Sequence, residues 1–124
     1  IVDNPGYEHY TRLDLDRAER LPDLPGVELV IASEILEHLS NAGHFLDLLK
    51  KAHLPVILTA PNAFAEVGLH HVRKGVENVN REHVCYYSYS TLSELVRRAG
   101  FGVKEWHWYG GREFVAEGLV FCLE

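Results

Sequence analysis

Apolar and polar residues follow one another along the chain in patterns that predict several β-strands. The segments "VELVIAS" and "PVILTAPN" are continuous apolar runs, which is typical of strands that are covered on both faces. The segment "HYTRLDLD" alternates between polar and apolar positions and predicts a strand over residues 9–15. At the start of the chain, "IVD" predicts the end of an earlier strand. Near the other end, "GVKEWHWYG" and "EGLVFCLE" flank the loop "GGREF" and predict an antiparallel hairpin.

Two other segments carry apolar residues at spacings of three and four, which predicts amphipathic helices. The first begins near Ser40 and Asn41 and continues to about His53. The second begins after Ser90 as its cap and is stopped by Gly100. The residues of the two apolar stripes are Phe45, Leu48, Leu49 and Ala52 in the first helix, and Leu92, Leu95, Val96 and Ala99 in the second.

The resulting order of elements is β-β-β-α-β-α-β-β, with a long irregular segment at residues 63–88 before the second helix. Strands that alternate with helices predict an α/β fold with a doubly wound, mostly parallel sheet. The terminal hairpin predicts one antiparallel strand at the edge of this sheet. Long segments without secondary structure are more often functional than idle, so residues 63–88 are expected to cover a site.

Composition narrows the class of protein further. The chain has 124 residues and is 47% hydrophobic, which suits one domain spanning residues 1–124. The net charge of −6 argues against nucleic acid as the main partner. Two cysteines without a zinc-type spacing, together with the lack of any membrane or leader pattern, favour a cytoplasmic protein that does not bind membranes. Because the chain opens in the middle of a strand pattern, we expect residues upstream of Ile1. The sequence leaves a homodimer open.

The segment "SEILEHL" places ionisable groups directly after a buried strand. Glu34, Glu37 and His38 are spaced at i, i+3 and i+4, so on a helical turn they face the same way. Three such oxygen and nitrogen ligands can hold a divalent ion, and His83 or Glu82 in "NREHV" is the natural further ligand. Mixed carboxylate and imidazole ligands suit Mg²⁺, Mn²⁺ or Zn²⁺ without choosing between them. Packing of the histidine beneath a cofactor is the alternative interpretation of the same pattern.

The motifs "RLDLD", "VELVIASEILEHL", "PVILTAPN" and "NREHVCYYSYSTLSELVRRAGF", with the closing hairpin, come in a specific order that covers most of the chain. In this order the chain resembles class I S-adenosylmethionine-dependent methyltransferases of the type 11/23 branch. The resemblance implies a Rossmann-like fold whose first strand and glycine-rich loop are missing from this chain, since that motif would lie just before Ile1. The turn before the fifth strand is also shortened, to "KKAHLPV".

The resemblance also implies residues for S-adenosyl-L-methionine. Asp3 would accept hydrogen bonds from the ribose hydroxyls, and Asp14 with Leu15 would hold the adenine. Ser33, Glu34 and Ile35 match the motif that lies beside the methionine part and the transferred methyl. Relatives that methylate small RNAs or ubiquinone precursors use the same "E..EH" pattern for metal, which here comprises Glu34, Glu37 and His38, with His83 as the fourth ligand.

The acceptor is expected to contact the segment at residues 63–88 and its flanks. A neutral imidazole can take a proton near pH 7, so His38 and His83 are the candidate catalytic residues. The candidate substrate contacts are Asn62, His71, Tyr86 and Tyr87.

Three functions remain open at this point. The first is methyl transfer to an oxygen or nitrogen of a small-molecule or sugar-like acceptor. The second is a truncated or degenerate relative that serves as an interaction module without catalysis. The third is a metal-dependent RNA 2′-O-methyltransferase, against which the acidic balance argues.

Overall fold

The computed structural model describes residues 10–124, so Asp3 and the predicted "IVD" strand lie outside the described residues. The strands are β1 (Val30–Ser33), β2 (Val56–Pro61), β3 (Val103–Tyr109) and β4 (Gly118–Leu123). The α-helices are α1 (Ala42–Lys51), α2 (Glu66–Arg73) and α3 (Tyr89–Arg98), and a single 3₁₀ turn (Leu36–His38) follows β1. No helix in this described part is long and apolar enough to cross a membrane.

The four strands form one mixed sheet in the order β1-β2-β4-β3. Strands β1 and β2 are parallel, with Val30 opposite Val56, and their carboxyl ends therefore meet at one edge. Strand β4 is antiparallel to both β2 and β3. The predicted α/β class and the terminal antiparallel hairpin are confirmed, and the described strands form a mixed sheet in which only the β1–β2 pair is parallel. The predicted antiparallel edge strand is wrong in its place, because β4 lies inside the sheet and β3 forms the edge.

The core lies between the sheet and the buried faces of α1 and α3. Strands β2 and β4 supply alternate residues that are almost fully buried, and the helices supply leucine and valine at helical spacing. This core explains why the apolar stripes of both helices could be found from the sequence. Its most deeply buried residues include Leu46, Leu49, Val56, Leu58, Leu92, Val96, Leu119, Phe121 and Leu123.

Side-chain caps set the starts of the two core helices. Asn41 accepts a hydrogen bond from the backbone N–H of His44, as expected from the sequence. Helix α3 begins two residues earlier than predicted, because Ser88 rather than Ser90 is the cap and forms a reciprocal capping box with Thr91. Gly100, with a φ of +84°, ends α3 as predicted.

Three predictions of local structure are wrong. Within the predicted strand at 9–15, the described residues 10–15 form no strand, and nothing in the described part pairs with the outer side of β1. The segment 63–88 contains helix α2, which has no buried residue and so lacks the apolar stripe that reveals a helix. Within residues 10–124, strand β1 is covered on one face only, since Ile31 on its other face is 64% exposed.

Candidate active site

The end of β1 turns sharply and sets the geometry of the candidate site. Glu34 has a φ of +51°, a left-handed conformation that non-glycine residues seldom adopt. Its backbone N–H donates to the carbonyl oxygen of Thr59 at 3.2 Å and to the Thr59 hydroxyl at 3.1 Å. Because β2 anchors this residue, the chain can leave the sheet and enter the 3₁₀ turn that carries Glu37 and His38.

Glu37 is a buried carboxylate on this turn, with only 1% of the residue exposed. Its carbonyl oxygen accepts from the backbone N–H groups of Val84 and Cys85, at 2.8 and 3.3 Å. These bonds tie the turn to the segment that carries His83. The side-chain oxygen Oε2 is buried and has no hydrogen-bond partner within the described residues. A buried carboxylate oxygen without a donor is costly and needs a reason.

His38 and His83 complete a cluster around this carboxylate. One ligand atom from each of Glu37, His38 and His83 lies within 4.8 Å of the other two. The imidazole rings of the two histidines meet edge to face at 4.7 Å, and His38 Nε2 lies 3.7 Å from Glu37 Oε1. His83 Nδ1 is buried without a partner among residues 10–124. Two orphaned polar atoms in one carboxylate and imidazole cluster fit the ligand chemistry of a divalent cation.

The electrostatic environment of Glu37 agrees with this interpretation. Burial is the largest cause and raises the pKa of Glu37 above its ordinary value, and the negative charge of Glu34 raises it further. Backbone hydrogen bonding and the imidazoles of His38 and His83 act in the opposite direction. A cation bound here would remove the energetic cost of keeping this carboxylate charged.

Glu34 lies outside this cluster, although the sequence places it in the same ligand set. Its Oε1 atom accepts one hydrogen bond from the hydroxyl of Thr59 and another from the hydroxyl of Tyr109, both at 2.8 Å. Burial and the bond to Glu34 raise the pKa of Tyr109, so this hydroxyl keeps its proton and remains a donor. The structure therefore brings together three of the four predicted metal ligands: Glu37, His38 and His83.

Two of the residues expected to hold the cofactor, Ser33 and Ile35, lie at the carboxyl end of β1, next to the candidate cation ligands. Ser33 ends β1, and its hydroxyl is 3.0 Å from that of Thr59. Ile35 is half-buried against the core. A charged group, a hydroxyl and an apolar side chain at one strand end suit a ligand with both an amino-acid part and a thioether chain. Asp3 lies outside the described residues.

Asp14 and Leu15 lie in a loop before β1, where a strand was predicted. Asp14 is exposed and accepts a hydrogen bond from the backbone N–H of Asp16, while Leu15 packs partly against the core. The neighbouring Asp16 binds the start of the first helix instead: its two carboxylate oxygens accept hydrogen bonds from the N–H groups of Ser40 and Asn41, at 3.2 and 2.9 Å. The Asp14 carboxylate is exposed to solvent and lies 3.9 Å from Arg17 Nε.

The four residues predicted to contact the acceptor occupy distinct positions. Asn62 is buried, and its amide donates to the carbonyl oxygens of Phe114 and Ala116 at 2.9 Å, so it anchors the loop between β3 and β4. Tyr87 is buried and its hydroxyl donates to Leu36 O at 3.4 Å.

The other two predicted acceptor contacts, Tyr86 and His71, are more exposed to solvent. Tyr86 is 41% exposed and its ring lies 5.9 Å from that of His83, so it borders the cluster. Burial and Glu77 raise its pKa. His71 lies on α2, with Nδ1 2.7 Å from the carbonyl oxygen of Val67. Of the four, Tyr86 lies beside the candidate cation ligands with its side chain accessible.

Sequence reasoning assigned no role to Thr59 and Tyr109. Thr59 lies in the quoted segment "PVILTAPN", in the carboxyl-terminal half of β2 opposite the end of β1, which is the side of a parallel sheet where ligands bind. Its position was therefore a usable clue. Tyr109 comes from β3, two strands away from β2, and only the pairing of the strands reveals that it reaches Glu34.

Comparison with known proteins identifies solved structures that share this fold. Neither a scan against models of protein families nor a search of curated proteins finds a match. Among solved structures, the small RNA methyltransferase HEN1 superposes with a TM-score of 0.65 at 17% identity, over 79% of this chain and 14% of that chain. An S-adenosylmethionine-dependent methyltransferase from Mesorhizobium loti gives 0.61 at 14% identity, over 92% and 68%.

A third similar structure is the magnesium protoporphyrin IX methyltransferase from Synechocystis PCC 6803, solved with S-adenosylhomocysteine bound. Its TM-score is 0.56 at 16% identity, over 90% of this chain and 48% of that chain. The chain thus spans about a seventh of HEN1 and about half of the Synechocystis enzyme. All three structures are methyltransferases, and the chain has the fold of class I S-adenosylmethionine-dependent methyltransferases.

Proposed function

We propose that this chain forms the acceptor side of an S-adenosylmethionine-dependent methyltransferase that methylates an oxygen of a small-molecule or sugar-like acceptor, with a divalent cation at Glu37, His38 and His83. The single observation that carries this proposal is the three-residue cluster with its two orphaned buried atoms. The sequence left oxygen and nitrogen acceptors open. The cluster favours oxygen, because a hydroxyl needs help to lose its proton.

The roles of the residues follow from their positions. S-adenosylmethionine would supply a methyl group on a sulfonium, and a divalent cation would lower the pKa of an acceptor hydroxyl. Glu37 supplies the fixed negative charge, and His38 and His83 supply imidazole nitrogens. An imidazole nitrogen bound to the cation cannot also take a proton, so the acceptor proton would leave to solvent at the open side of the cluster, where His38 has a side-chain exposure of 35%.

Cofactor contacts are proposed for the polar end of β1 and the loop before it. Ser33, Glu34 and Ile35 would lie along the methionine part, and Asp14 and Leu15 would hold the adenine. Asp3 would bind the ribose, as the resemblance implies. The support for this assignment is the class I fold, in which ligands bind beyond the carboxyl ends of the parallel strands.

Cation binding is the first test. We expect the full-length protein to bind Mn²⁺ in a calorimetric titration, and His83→Ala to weaken that binding at least about tenfold, since loss of a ligand is a large fraction of site affinity. His70→Ala is the matched control, because His70 is exposed on α2 and does not belong to the cluster. Equal Mn²⁺ affinity in wild type and His83→Ala would contradict the proposal.

Cofactor binding is the second test and separates the enzyme from an interaction module. The full-length protein should bind S-adenosylhomocysteine in the micromolar range, with a heat signal that Glu34→Ala reduces. No binding at millimolar ligand, with cation binding intact, would favour the degenerate module that lacks catalysis.

A second candidate acceptor is the terminal 2′-hydroxyl of an RNA. Two observations favour it: the carboxylate and imidazole cluster, and the superposition on a small RNA methyltransferase. The net charge of −6 weighs against it, because phosphate contacts dominate the affinity of RNA-binding proteins. Methyl incorporation into RNA oligonucleotides with 2′-hydroxyl or 2′-deoxy ends would distinguish this acceptor from a small molecule.

A further inference from the structure

Helix α2 contains a glycine that neither backbone geometry nor steric contacts require. Gly68 lies inside the helix, where glycine costs stability relative to alanine. Its φ is not positive, and nothing among the described residues lies within 4 Å of the place where a Cβ atom would stand. The fold would therefore accept alanine or a larger side chain at this position.

Gly68 opens onto a cavity of about 150 Å³ between α2 and the segment that follows it. The chain turns after the helix at Gly75, which has a φ of +74°, and residues 77–79 face α2 across the cavity. Gly68 and Val72 share one face of the helix, since residues four apart lie one turn above each other, so a side chain at position 68 would project into the cavity. The other residues that line the cavity include Leu69, Val79, Glu77 and Tyr86.

The size and the walls of the cavity define what it can hold. A volume of about 150 Å³ is that of a cavity that binds one benzene molecule. Leu69, Val72 and Val79 give it apolar walls, and apolar groups gain free energy when they leave water for such walls. Glu77 adds a carboxylate, which repels anionic groups. The cavity thus suits a neutral, compact apolar group of roughly six carbon atoms.

Tyr86 joins this cavity to the candidate cation ligands. Its side chain lines the cavity, and its ring lies 5.9 Å from the ring of His83. His83 belongs to the cluster with Glu37 and His38. A molecule whose apolar group occupied the cavity would therefore extend past Tyr86 and place a hydroxyl group beside these three side chains.

We propose that Gly68 is a specificity-determining residue, whose missing side chain keeps the cavity open for a neutral, compact apolar group of the acceptor. The role of the bound group as part of an acceptor rests on the proposed function, whereas its binding to the cavity does not. The acceptor would then be an alcohol with an apolar ring or branched chain. A sugar ring does not suit the cavity, because apolar walls would leave its hydroxyl groups without hydrogen-bond partners.

Two alcohols with the same six-membered carbon ring test the binding on the full-length protein, without cofactor or cation. We expect cyclohexanol to bind in the millimolar range in saturation-transfer NMR titrations, and myo-inositol to show no binding. Gly68→Leu should weaken cyclohexanol binding at least about tenfold, the effect of losing roughly 55 Å² of apolar contact. Gly68→Ala, which adds a single methyl group, should have a smaller effect in the same direction.

Matched variants separate a filled cavity from a damaged fold. Alanine and leucine are better helix formers than glycine, so both substitutions at Gly68 should keep α2, as far-ultraviolet circular dichroism would show. His70→Leu places the same leucine side chain at an exposed position of α2 outside the cavity, and it should leave cyclohexanol binding unchanged.

Mn²⁺ tests whether the cavity adjoins the cation cluster. Because Mn²⁺ is paramagnetic, it broadens the proton signals of molecules that are held close to it. The signals of bound cyclohexanol should therefore broaden when Mn²⁺ occupies the cluster. His83→Ala removes a cation ligand and should abolish this broadening while cyclohexanol still binds.

The outcomes distinguish the cavity from the proposed function. Cyclohexanol binding that Gly68→Leu weakens and His70→Leu does not, together with the broadening, supports the proposal. No cyclohexanol binding, preferential binding of myo-inositol, or equal cyclohexanol affinity in wild type and Gly68→Leu would overturn it, while the cation site would stand. Absence of broadening in protein that binds Mn²⁺ would overturn the acceptor role of the cavity. Failure of the wild-type protein to bind Mn²⁺ would overturn the proposed cation site and the acceptor role with it, and leave only the apolar cavity.

Discussion

Glu37 is the residue at which stability and function oppose each other. Its carboxylate is buried, one of its oxygens lacks a donor among the described residues, and the charge of Glu34 is nearby. Without a cation this charge makes folding less favourable. Residues of this kind persist where the same arrangement serves a binding site.

We therefore predict that Glu37→Gln stabilises the cation-free protein while abolishing cation binding. The amide has nearly the same shape and carries no charge. At pH 8, we expect the free energy of unfolding to rise by on the order of 1 kcal/mol, as is common when a strained functional group is replaced. Urea denaturation in the presence of a chelator measures it. A loss of stability at pH 8 would show that the charge is already compensated within the fold.

The pH dependence of this difference follows from the pKa of Glu37, which is raised above 4.5 in the folded state. The destabilising charge is fully present above the folded-state pKa. It disappears as the pH falls through that pKa toward 4.5, because the folded protein takes up the proton more readily than the unfolded chain. The advantage of Glu37→Gln should therefore shrink on acidification from pH 8 to pH 4.5. An advantage that grows instead would reverse the sign of the assigned pKa shift.

Among the elements, helix α1 depends on a residue far from it in sequence. Asp16 accepts hydrogen bonds from the N–H groups of Ser40 and Asn41, which directly precede the first turn of α1. His44 strengthens the same junction, since its Nε2 atom lies 2.7 Å from the carbonyl oxygen of Ala18. The loop before β1 is thus fixed against the start of α1 at two points.

Replacing Asp16 with alanine should lower the free energy of unfolding by about 1–2 kcal/mol, the usual cost of losing acceptors at a helix start. Asp23→Ala is the matched control, because the Asp23 side chain is 93% exposed and its ion pair to Arg20 spans 3.9 Å. We expect less than about 0.5 kcal/mol for the control. Equal effects of the two substitutions in urea denaturation would contradict the bridging role of Asp16.

The same contrast between local and distant contacts explains which elements could be predicted from the sequence. Helices α1 and α3 carry buried stripes and caps within a few residues, so local patterns sufficed. Helix α2 buries no residue and contains Gly68, so it has no buried apolar stripe from which a helix could be predicted. The position of β4 inside the sheet depends on pairing between segments far apart in sequence, which no local pattern contains.

The residues of the candidate site also fall into two groups: those that local spacing could place and those whose position depends on distant contacts. Glu37 and His38 could be placed together because they share one turn, and His83 was found as a further ligand through the resemblance of "NREHV" to known motifs. The side chain of Glu34 could not be placed, because its direction depends on Thr59 and Tyr109 from other strands. Spacing along a turn shows which groups are neighbours, but it does not show which hydrogen bonds their side chains form.

On the scale of the whole molecule, one face of β1 is an exposed apolar surface within residues 10–124. Leu29 and Ile31 are 43% and 64% exposed, and a cleft there is lined by apolar residues from β1 and the loop before it. Soluble proteins seldom leave such a surface open, so in the 124-residue chain it should promote association.

We predict that Ile31→Lys in this 124-residue chain reduces self-association, seen as a smaller sedimentation coefficient at high concentration. The free energy of unfolding should change by less than about 0.5 kcal/mol, since the side chain has few contacts to lose. Ala32→Lys is the contrasting variant, because Ala32 is 1% exposed on the covered face, and it should prevent folding. Unchanged self-association of the Ile31→Lys variant would show that this surface does not promote association.

The place of β4 in the sheet constrains the moment at which the protein can form. β4 is the last of the four strands to leave the ribosome, yet it fills the gap between β2 and β3. Until β4 emerges, β3 has no partner strand among the described elements, and Tyr109 cannot be held near Glu34. The hydrogen bond between Tyr109 of β3 and Glu34 at the end of β1 can therefore form only after β4 has been synthesised.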